Sequence, residues 1–183
     1  MATQLKNQVR IIGGDYKRRL LKFPDAEGLR PTPDRVRETL FNWLGQECTG
    51  LVCLDLFSGS GALGFEAASR NAKRVVMIER AKNVAASLKS NQTLLGAENI
   101  EVIWGDALRF LDSTAERFDV VFLDPPFDSD LLAQVLPKLA RVLNPAALIY
   151  AETANWPERD GWDIVKEGKA GLVKYALLKQ HAC

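Results

Sequence analysis

Two short segments hold the residue types that could do chemistry. One is Asp124-Pro125-Pro126-Phe127, directly after the apolar run Phe118–Leu123. Consecutive prolines stiffen a loop and fix the direction of the Pro125 carbonyl. That carbonyl and the Asp124 carboxylate can each accept a hydrogen from a planar amino group, and Phe127 offers a flat face on which a base can stack. An exocyclic amine of a nucleobase is a poor nucleophile, because its lone pair is delocalised into the ring. Two acceptors aimed at its hydrogens favour the pyramidal, nucleophilic form and align it for in-line displacement. Little further acid–base chemistry is needed, since attack leaves the nitrogen cationic and able to pass a proton to Asp124 or to water. Asp124, Pro125, Pro126 and Phe127 are therefore the catalytic candidates. Read structurally, the same tetrapeptide is a rigid turn with an exposed aromatic.

The other segment is Asp55-Leu56-Phe57-Ser58-Gly59-Ser60-Gly61-Ala62-Leu63-Gly64. Gly59, Gly61 and Gly64 satisfy G-x-G-x-x-G, and Glu79 lies twenty residues beyond Gly59, where a carboxylate can hold a ribose hydroxyl pair. This spacing points to a nucleoside-bearing cofactor, lined by Phe57, Ser58 and the three glycines. Asp55 discriminates among such cofactors. A dinucleotide lays its pyrophosphate on the loop and helix N-terminus, where a nearby carboxylate adds unfavourable charge. S-adenosylmethionine has no phosphate and carries a sulfonium and an ammonium, so Asp55 becomes an attractive partner, directly or through water. In Gly105-Asp106-Ala107, Asp106 is placed to accept from the adenine amino group, with Ala107 beside it; Asp106 also fits a helix N-cap. S-adenosylhomocysteine would be the product, and no metal is implied.

These residues need a scaffold, and the periodicity supplies one. Residues 9–23 read as two short strands around Gly13-Gly14-Asp15. Thr32-Pro33-Asp34 reads as a helix start with Thr32 as N-cap, followed by Val36, Leu40, Trp43 and Leu44 at helical spacing up to Gly45. From residue 51 strands and helices alternate: strands at 51–57, 74–79, 100–104, 118–123 and 147–152, helices at 61–70, 107–111 and 129–143, and between the second and third strands a helix carrying Val84, Leu88 and Leu95 on one stripe and closing at Gly96. Repeated βα alternation with apolar strands predicts an α/β, Rossmann-like fold with a mostly parallel sheet covered on both faces. Residues 162–166 and 172–179, joined through Gly168-Lys169-Ala170-Gly171, have no room for a crossover helix and predict an antiparallel hairpin at the sheet edge, giving seven strands. The expected organisation is a hairpin-and-helix extension over residues 1–46 and the cofactor-binding domain over 47–183.

At 183 residues, 47% of them apolar and 26% charged, the chain can bury a core without disulfides or a metal. Cys48, Cys53 and Cys183 are odd in number and lack C-x-x-C spacing, which argues against a disulfide framework or zinc site and fits a reducing cytoplasm. The single histidine, His181, stands near the end and nearly removes mechanisms built on a Ser-His-Asp triad, a Cys-His pair or a histidine metal cage. No signal peptide or membrane span is legible. The net charge of +1 conceals a polarity: residues 1–37 hold nine basic and four acidic residues, and the remainder fifteen basic and nineteen acidic. A basic front end suits a polyanion, with Arg10, Lys17, Arg18, Arg19, Arg30, Arg35 and Arg37 as candidate phosphate contacts, some of which could instead pair with acids of the main domain.

The 55–64 loop, Glu79 and Asp124-Pro125-Pro126-Phe127 together resemble a class I S-adenosylmethionine-dependent amino-methyltransferase. Arg10-Ile11-Ile12-Gly13-Gly14 and the run from Leu29-Arg30-Pro31-Thr32-Pro33-Asp34 through Arg35-Val36-Arg37-Glu38-Thr39-Leu40-Phe41-Asn42-Trp43-Leu44 resemble the bacterial RsmD family, and the likeness covers nearly the whole chain. The resemblance implies methylation of the N2 amine of one guanine in 16S ribosomal RNA. It also implies a monomer acting in the cytoplasm on an assembling small ribosomal subunit, without membrane contact. By the same resemblance Asp124, Pro125, Pro126 and Phe127 hold the guanine, and Asp55, Gly59, Gly61 and Glu79 the cofactor. One departure is that the family commonly places a glycine among the basic residues of the first hairpin, where this chain has continuous Lys17-Arg18-Arg19. Taken without the resemblance, the amine-binding loop also suits a DNA adenine-N6 or cytosine-N4 methyltransferase, although no long segment for reading duplex DNA is visible. A nicotinamide oxidoreductase is disfavoured by Asp55 and the Asp-Pro-Pro-Phe loop, and a non-catalytic RNA-binding protein by the completeness of the candidate contacts.

Overall fold

The computed structural model describes residues 7–182; Lys6 and Cys183 lie outside them. A two-stranded hairpin, β1 (Gln8–Arg10) and β2 (Leu20–Lys22), precedes α1 (Asp34–Trp43). Then follow β3 (Val52–Asp55), α2 (Ala62–Ser69), β4 (Arg74–Glu79), α3 (Lys82–Leu95), β5 (Ile100–Trp104), α4 (Ala107–Ser113), β6 (Phe118–Leu123) and α5 (Leu131–Leu139). The chain closes with β7 (Leu143–Thr153), β8 (Trp162–Ala170) and β9 (Val173–Gln180). The main sheet has seven strands in the order β5-β4-β3-β6-β7-β9-β8, parallel except where β9 pairs with β7 and β8. The strand order reverses between β3 and β6, which puts the C-terminal ends of β3, β4 and β6 around one crevice.

Side chains alternate along each buried strand and feed two cores. Cys53, Val75, Met77, Val120, Phe122, Tyr150 and Leu177 face α1, α2 and the hairpin. Leu54, Val76, Ile78, Val121, Leu123, Ile149 and Leu178 face α4 and α5. Val9, Ile11 and Leu21 of the hairpin and Val36, Leu40 and Phe41 of α1 belong to the first of these cores, so the extension packs as part of the sheet's own cover.

Helix α2 is buried over its whole length, Glu66 included. The hairpin loop explains why. The N–H groups of Ile12 and Gly13 donate to the two Glu66 carboxylate oxygens at 2.9 and 2.8 Å, and Asp15 N donates to the Ser69 carbonyl at 2.7 Å. Gly14 has φ +76, and a Cβ there would lie 1.8 Å from the Ser69 carbonyl oxygen, so only glycine permits this approach. Arg18 stands at φ +72 in the same loop. A left-handed arginine costs about 1–2 kcal/mol, partly offset by the unfolded-state entropy of a glycine. Arg18→Gly is expected to gain about 0.5–1 kcal/mol in denaturant melts.

Two local expectations change. Helix α1 takes Pro33 as its N-cap, without a side-chain cap, and Thr32 turns its hydroxyl elsewhere. In the final hairpin Gly168, Lys169 and Ala170 continue β8, and the turn is Gly171-Leu172. Gly168 lies opposite Tyr175, and a Cβ on it would come within 2.5 Å of that ring. Tyr175 in turn packs against Tyr150 and Trp43, with ring centroids 6.4 and 5.6 Å away.

Candidate active site

The 55–64 loop is held by its own hydrogen bonds. Ser58 N donates to Ile78 O at 3.0 Å, Ser58 Oγ to Asp55 O at 2.9 Å, and Gly61 N to Ser58 O at 2.8 Å. Gly61, at φ +83, starts α2, and a Cβ on it would lie 2.6 Å from the Phe65 ring. Phe57 is partly buried against the α4–α5 core, and Ser58 is buried.

Asp55 is 1% exposed. Its Oδ2 accepts from Gly64 N at 3.0 Å, while Oδ1 is buried with no partner. Burial, assisted by the negative charge of Glu79 and opposed by the Gly64 N–H, pushes this carboxyl up to about 7. Its ionised form is therefore disfavoured relative to a carboxylate in water, a cost that a cationic ligand reaching Oδ1 would relieve. That lone acceptor, beside a loop of left-handed glycines, fits a positively charged nucleoside and opposes a pyrophosphate.

Glu79 takes part in the loop itself. Its Oε2 accepts from Gly59 N and its Oε1 from Ala81 N, each at 2.9 Å. Each carboxylate oxygen retains a second acceptor position for a ribose hydroxyl. Asp106 is the N-cap of α4, with Oδ1 accepting from Arg109 N at 3.0 Å, and the following Ala107 is buried. Asp106 is exposed just beyond the end of β5, whose last residue, the exposed Trp104, stands under Lys82 and donates to Arg80 O.

On the other side of the crevice β6 delivers Asp124-Pro125-Pro126-Phe127. The Pro126 carbonyl accepts from Ser129 N and Oγ at 3.1 and 2.7 Å, which locks the turn, and Phe127 is 56% exposed. Asp124 and Pro125 are partly buried and line a cleft with Phe127, Leu132 and Glu152. Burial and the adjacent Glu152 carboxylate hold the Asp124 carboxyl well above the usual range. Three neighbours escaped the sequence reading. Thr32 Oγ1 lies 3.4 Å from Asp124 Oδ2 and 3.2 Å from Glu152 Oε1, and Tyr150 Oη donates to Glu152 Oε1 at 2.6 Å. Glu152 could have been found as a carboxylate ending an apolar strand, where such sheets bind ligands; Thr32 already satisfied the local pattern of a cap. Leu29, three residues earlier, lies against Gly59, so one short segment of the extension touches both the glycine loop and the amine-binding loop.

The basic candidates divide. Arg10, Lys17, Arg18, Arg19, Arg30 and Arg35 are exposed, and Arg19 donates to Leu94 O at 3.2 Å. Arg37 is a correction: it is 1% exposed and has no route to a phosphate. Its guanidinium donates to Thr32 O, Arg10 O, Glu66 Oε2 and Asp34 Oδ1. Arg70 binds the other Glu66 oxygen at 3.0 Å, leaving one buried carboxylate between two arginines. Among the described residues no group of side chains could hold a metal ion, and no helix is long and apolar enough to cross a membrane.

The sequence model of the family described as Conserved hypothetical protein 95 matches residues 9–179. The chain belongs to this family, the RsmD family. Among RsmD relatives, the Ribosomal RNA small subunit methyltransferase D of Haemophilus influenzae is 48% identical, with 94% of each chain covered. That of Escherichia coli K12 is 42% identical over 96% of this chain and 91% of its own. A solved structure described as the putative methyltransferase yhhF from Escherichia coli superposes with a TM-score of 0.87 at 42% identity, covering 96% of this chain and 99% of that one. The RsmD chain is an enzyme of the α/β methyltransferase class.

Proposed function

We propose that the chain transfers the methyl group of S-adenosylmethionine to the exocyclic N2 amine of one guanine in 16S ribosomal RNA. The observation that carries this reading is the pairing of the partnerless, buried Asp55 Oδ1 at the end of β3 with the Asp124-Pro125-Pro126-Phe127 loop at the end of the neighbouring β6. The names of the RsmD relatives supply the class of RNA.

S-adenosylmethionine, when bound, supplies an electrophilic methyl on a sulfonium. The chain's own residues do the rest. Asp55 Oδ1 faces the cationic part of the cofactor, Glu79 the ribose and Asp106 the adenine amine. Asp124 and the Pro125 carbonyl accept the hydrogens of N2, Phe127 stacks on the guanine, and Asp124 takes up the proton released after transfer. Arg10, Lys17, Arg18, Arg19, Arg30 and Arg35 hold phosphates, which suits a monomer docking on a small subunit during assembly in the cytoplasm.

The test is to map methylated nucleotides in 16S RNA from cells with and without the protein, and to offer the purified enzyme unmethylated small subunits, naked 16S RNA and duplex DNA side by side. Loss of one N2-methylguanine and its restoration on subunits is expected; methylation of the DNA alone would overturn the reading.

Cofactor affinity should depend on pH through Asp55. In the free enzyme the Asp55 carboxyl, pushed up to about 7 by burial, takes up a proton as pH falls, and a cation binds the ionised form. The Kd for S-adenosylmethionine is therefore expected to fall by up to about tenfold per pH unit as pH rises towards 7, then to level off. Calorimetry from pH 5.5 to 8.5 checks this; a flat profile contradicts it. Reversing Lys17, Arg18 and Arg19 to glutamate is expected to weaken RNA binding and to flatten its logarithmic salt dependence by about 2–3, since each lost phosphate contact removes about 0.7–0.9. An unchanged slope would mean that the hairpin is not the RNA arm.

A further inference from the structure

Asp124 leaves the sheet beside a second carboxyl. β6 and β7 run parallel with Leu123 opposite Ala151, so the next residue on each strand, Asp124 and Glu152, emerges next to the other. Their carboxyls are within hydrogen-bonding reach of each other and line the same cleft as Pro125 and Phe127. Glu152 is held in place: Tyr150 Oη donates to its Oε1, and Tyr150 is packed by Tyr175 from β9. Thr32 Oγ1 reaches both carboxyls, at 3.4 and 3.2 Å, but a hydroxyl has one proton and can donate to only one of them.

We propose that Glu152 is the positioning and proton-sharing partner of Asp124, the two carboxyls together carrying a single negative charge over the reacting amine. The inference rests on the amine-methyltransferase reading above. Two carboxyls in contact in a partly desolvated cleft do not both ionise near neutral pH, so one proton lies between them. Among the described residues, the other titratable groups against the pair are Asp55 from β3, Tyr150 on β7 and, behind it, Tyr175 from β9, and none of these carries a positive charge. The high proton affinity of Asp124 agrees with this arrangement.

A pair with one proton balances the reaction. As the bond from N2 to the methyl carbon forms, the carbon–sulfur bond breaks and its electron pair stays on sulfur. The nitrogen, now cationic, gives a proton to Asp124, and the proton that Asp124 held passes to Glu152. The positive charge that began on sulfur and the negative charge of the pair cancel, leaving a neutral secondary amine, a neutral thioether and a neutral carboxyl pair. The pair then loses its extra proton to water.

The decisive measurement is a 13C carboxyl titration of the free enzyme by NMR, with Asp124 and Glu152 assigned. In the wild type the two resonances should report the same two steps, one of them above the usual carboxylate range. Glu152→Gln keeps an acceptor oxygen for Tyr150 and Thr32 but removes the shared charge. In that variant Asp124 should titrate in one step with its proton affinity lowered at least tenfold, kcat should fall about tenfold, and the Kd for S-adenosylhomocysteine should stay within twofold. Independent single steps in the wild type, an unmoved Asp124 in the variant, or an unchanged kcat would each overturn the proposal. If the variant does not fold, the wild-type titration decides alone. Because the titration uses neither RNA nor cofactor, its failure is distinct from a failure of the substrate assignment, which nucleotide mapping tests.

Discussion

Asp124→Ala is expected to lower kcat for methyl transfer about 10²–10³-fold, the usual cost of removing one preorganised hydrogen-bonding group from a transition state. Two features should separate this loss from unfolding. Asp124 makes none of the hydrogen bonds that hold the 55–64 loop or Glu79, so the Kd for S-adenosylhomocysteine should change by less than about twofold, well under the tenfold that 1.4 kcal/mol represents. The protein should also be at least as stable as the wild type at neutral pH. The native structure holds the Asp124 carboxyl in a desolvated position against another carboxyl, and alanine removes that conflict. Single-turnover methyl transfer, calorimetric titration and a thermal melt are the three measurements. Unimpaired turnover would remove Asp124 from the chemistry, and a lowered melting temperature with weakened cofactor binding would make its role structural.

Glu66→Ala should have the largest effect on stability. Glu66 is fully buried and accepts from Ile12 N, Gly13 N, Arg37 and Arg70. Removing it leaves the buried Arg70 guanidinium without a counter-charge, Arg37 with only the exposed Asp34, and two backbone donors without an acceptor. Breaking a buried ion pair from one side costs about 3–5 kcal/mol, which for a chain of this size lowers the melting temperature by roughly 10 °C or more. Arg70 retains Gln46 and the face of Phe41, and Arg37 retains Thr32 O and Arg10 O, so the protein should still fold. The loss should concentrate where the hairpin loop meets α2, visible as faster hydrogen exchange at the Ile12 and Gly13 amides. A variant that melts within 1 kcal/mol of the wild type would show that the cluster is replaceable by water.

The parts that were legible in the sequence share a physical trait: their signal is local. Strands Arg74–Glu79, Ile100–Trp104 and Phe118–Leu123 keep their expected bounds, because the apolar runs 75–78 and 120–123 suit strands covered on both faces and the edge strand β5 buries Ile100 and Val102 on one face. Asp55, the glycines, Glu79 and Asp124 stand at strand ends, and the fold class brings those ends together. The parts that were not legible depend on partners far along the chain. Thr32 meets Asp124 and Glu152, which lie 92 and 120 residues away, so its local fit as a cap concealed its tertiary role. Arg37 counts as a cation in any charge tally, yet it is spent inside the molecule on an acid in α2. Glu66 sits in a helix of small apolar residues, where a lone acid would be expected to face water; the hairpin that covers it cannot be placed from the helix sequence alone.

The strand order also governs how this protein must come off the ribosome. β9 is made after β8, yet it lies between β7 and β8. Until it inserts, the growing chain presents the long outer edge of β7 with its hydrogen-bonding groups unpaired, a template for aggregation. Tyr150 then lacks the ring of Tyr175 that braces it, and Tyr150 is the residue that fixes Glu152 beside Asp124. Vectorial synthesis thus makes the cleft wait for β9: a nascent chain carries Asp124 and Glu152 before it has the strand that braces them.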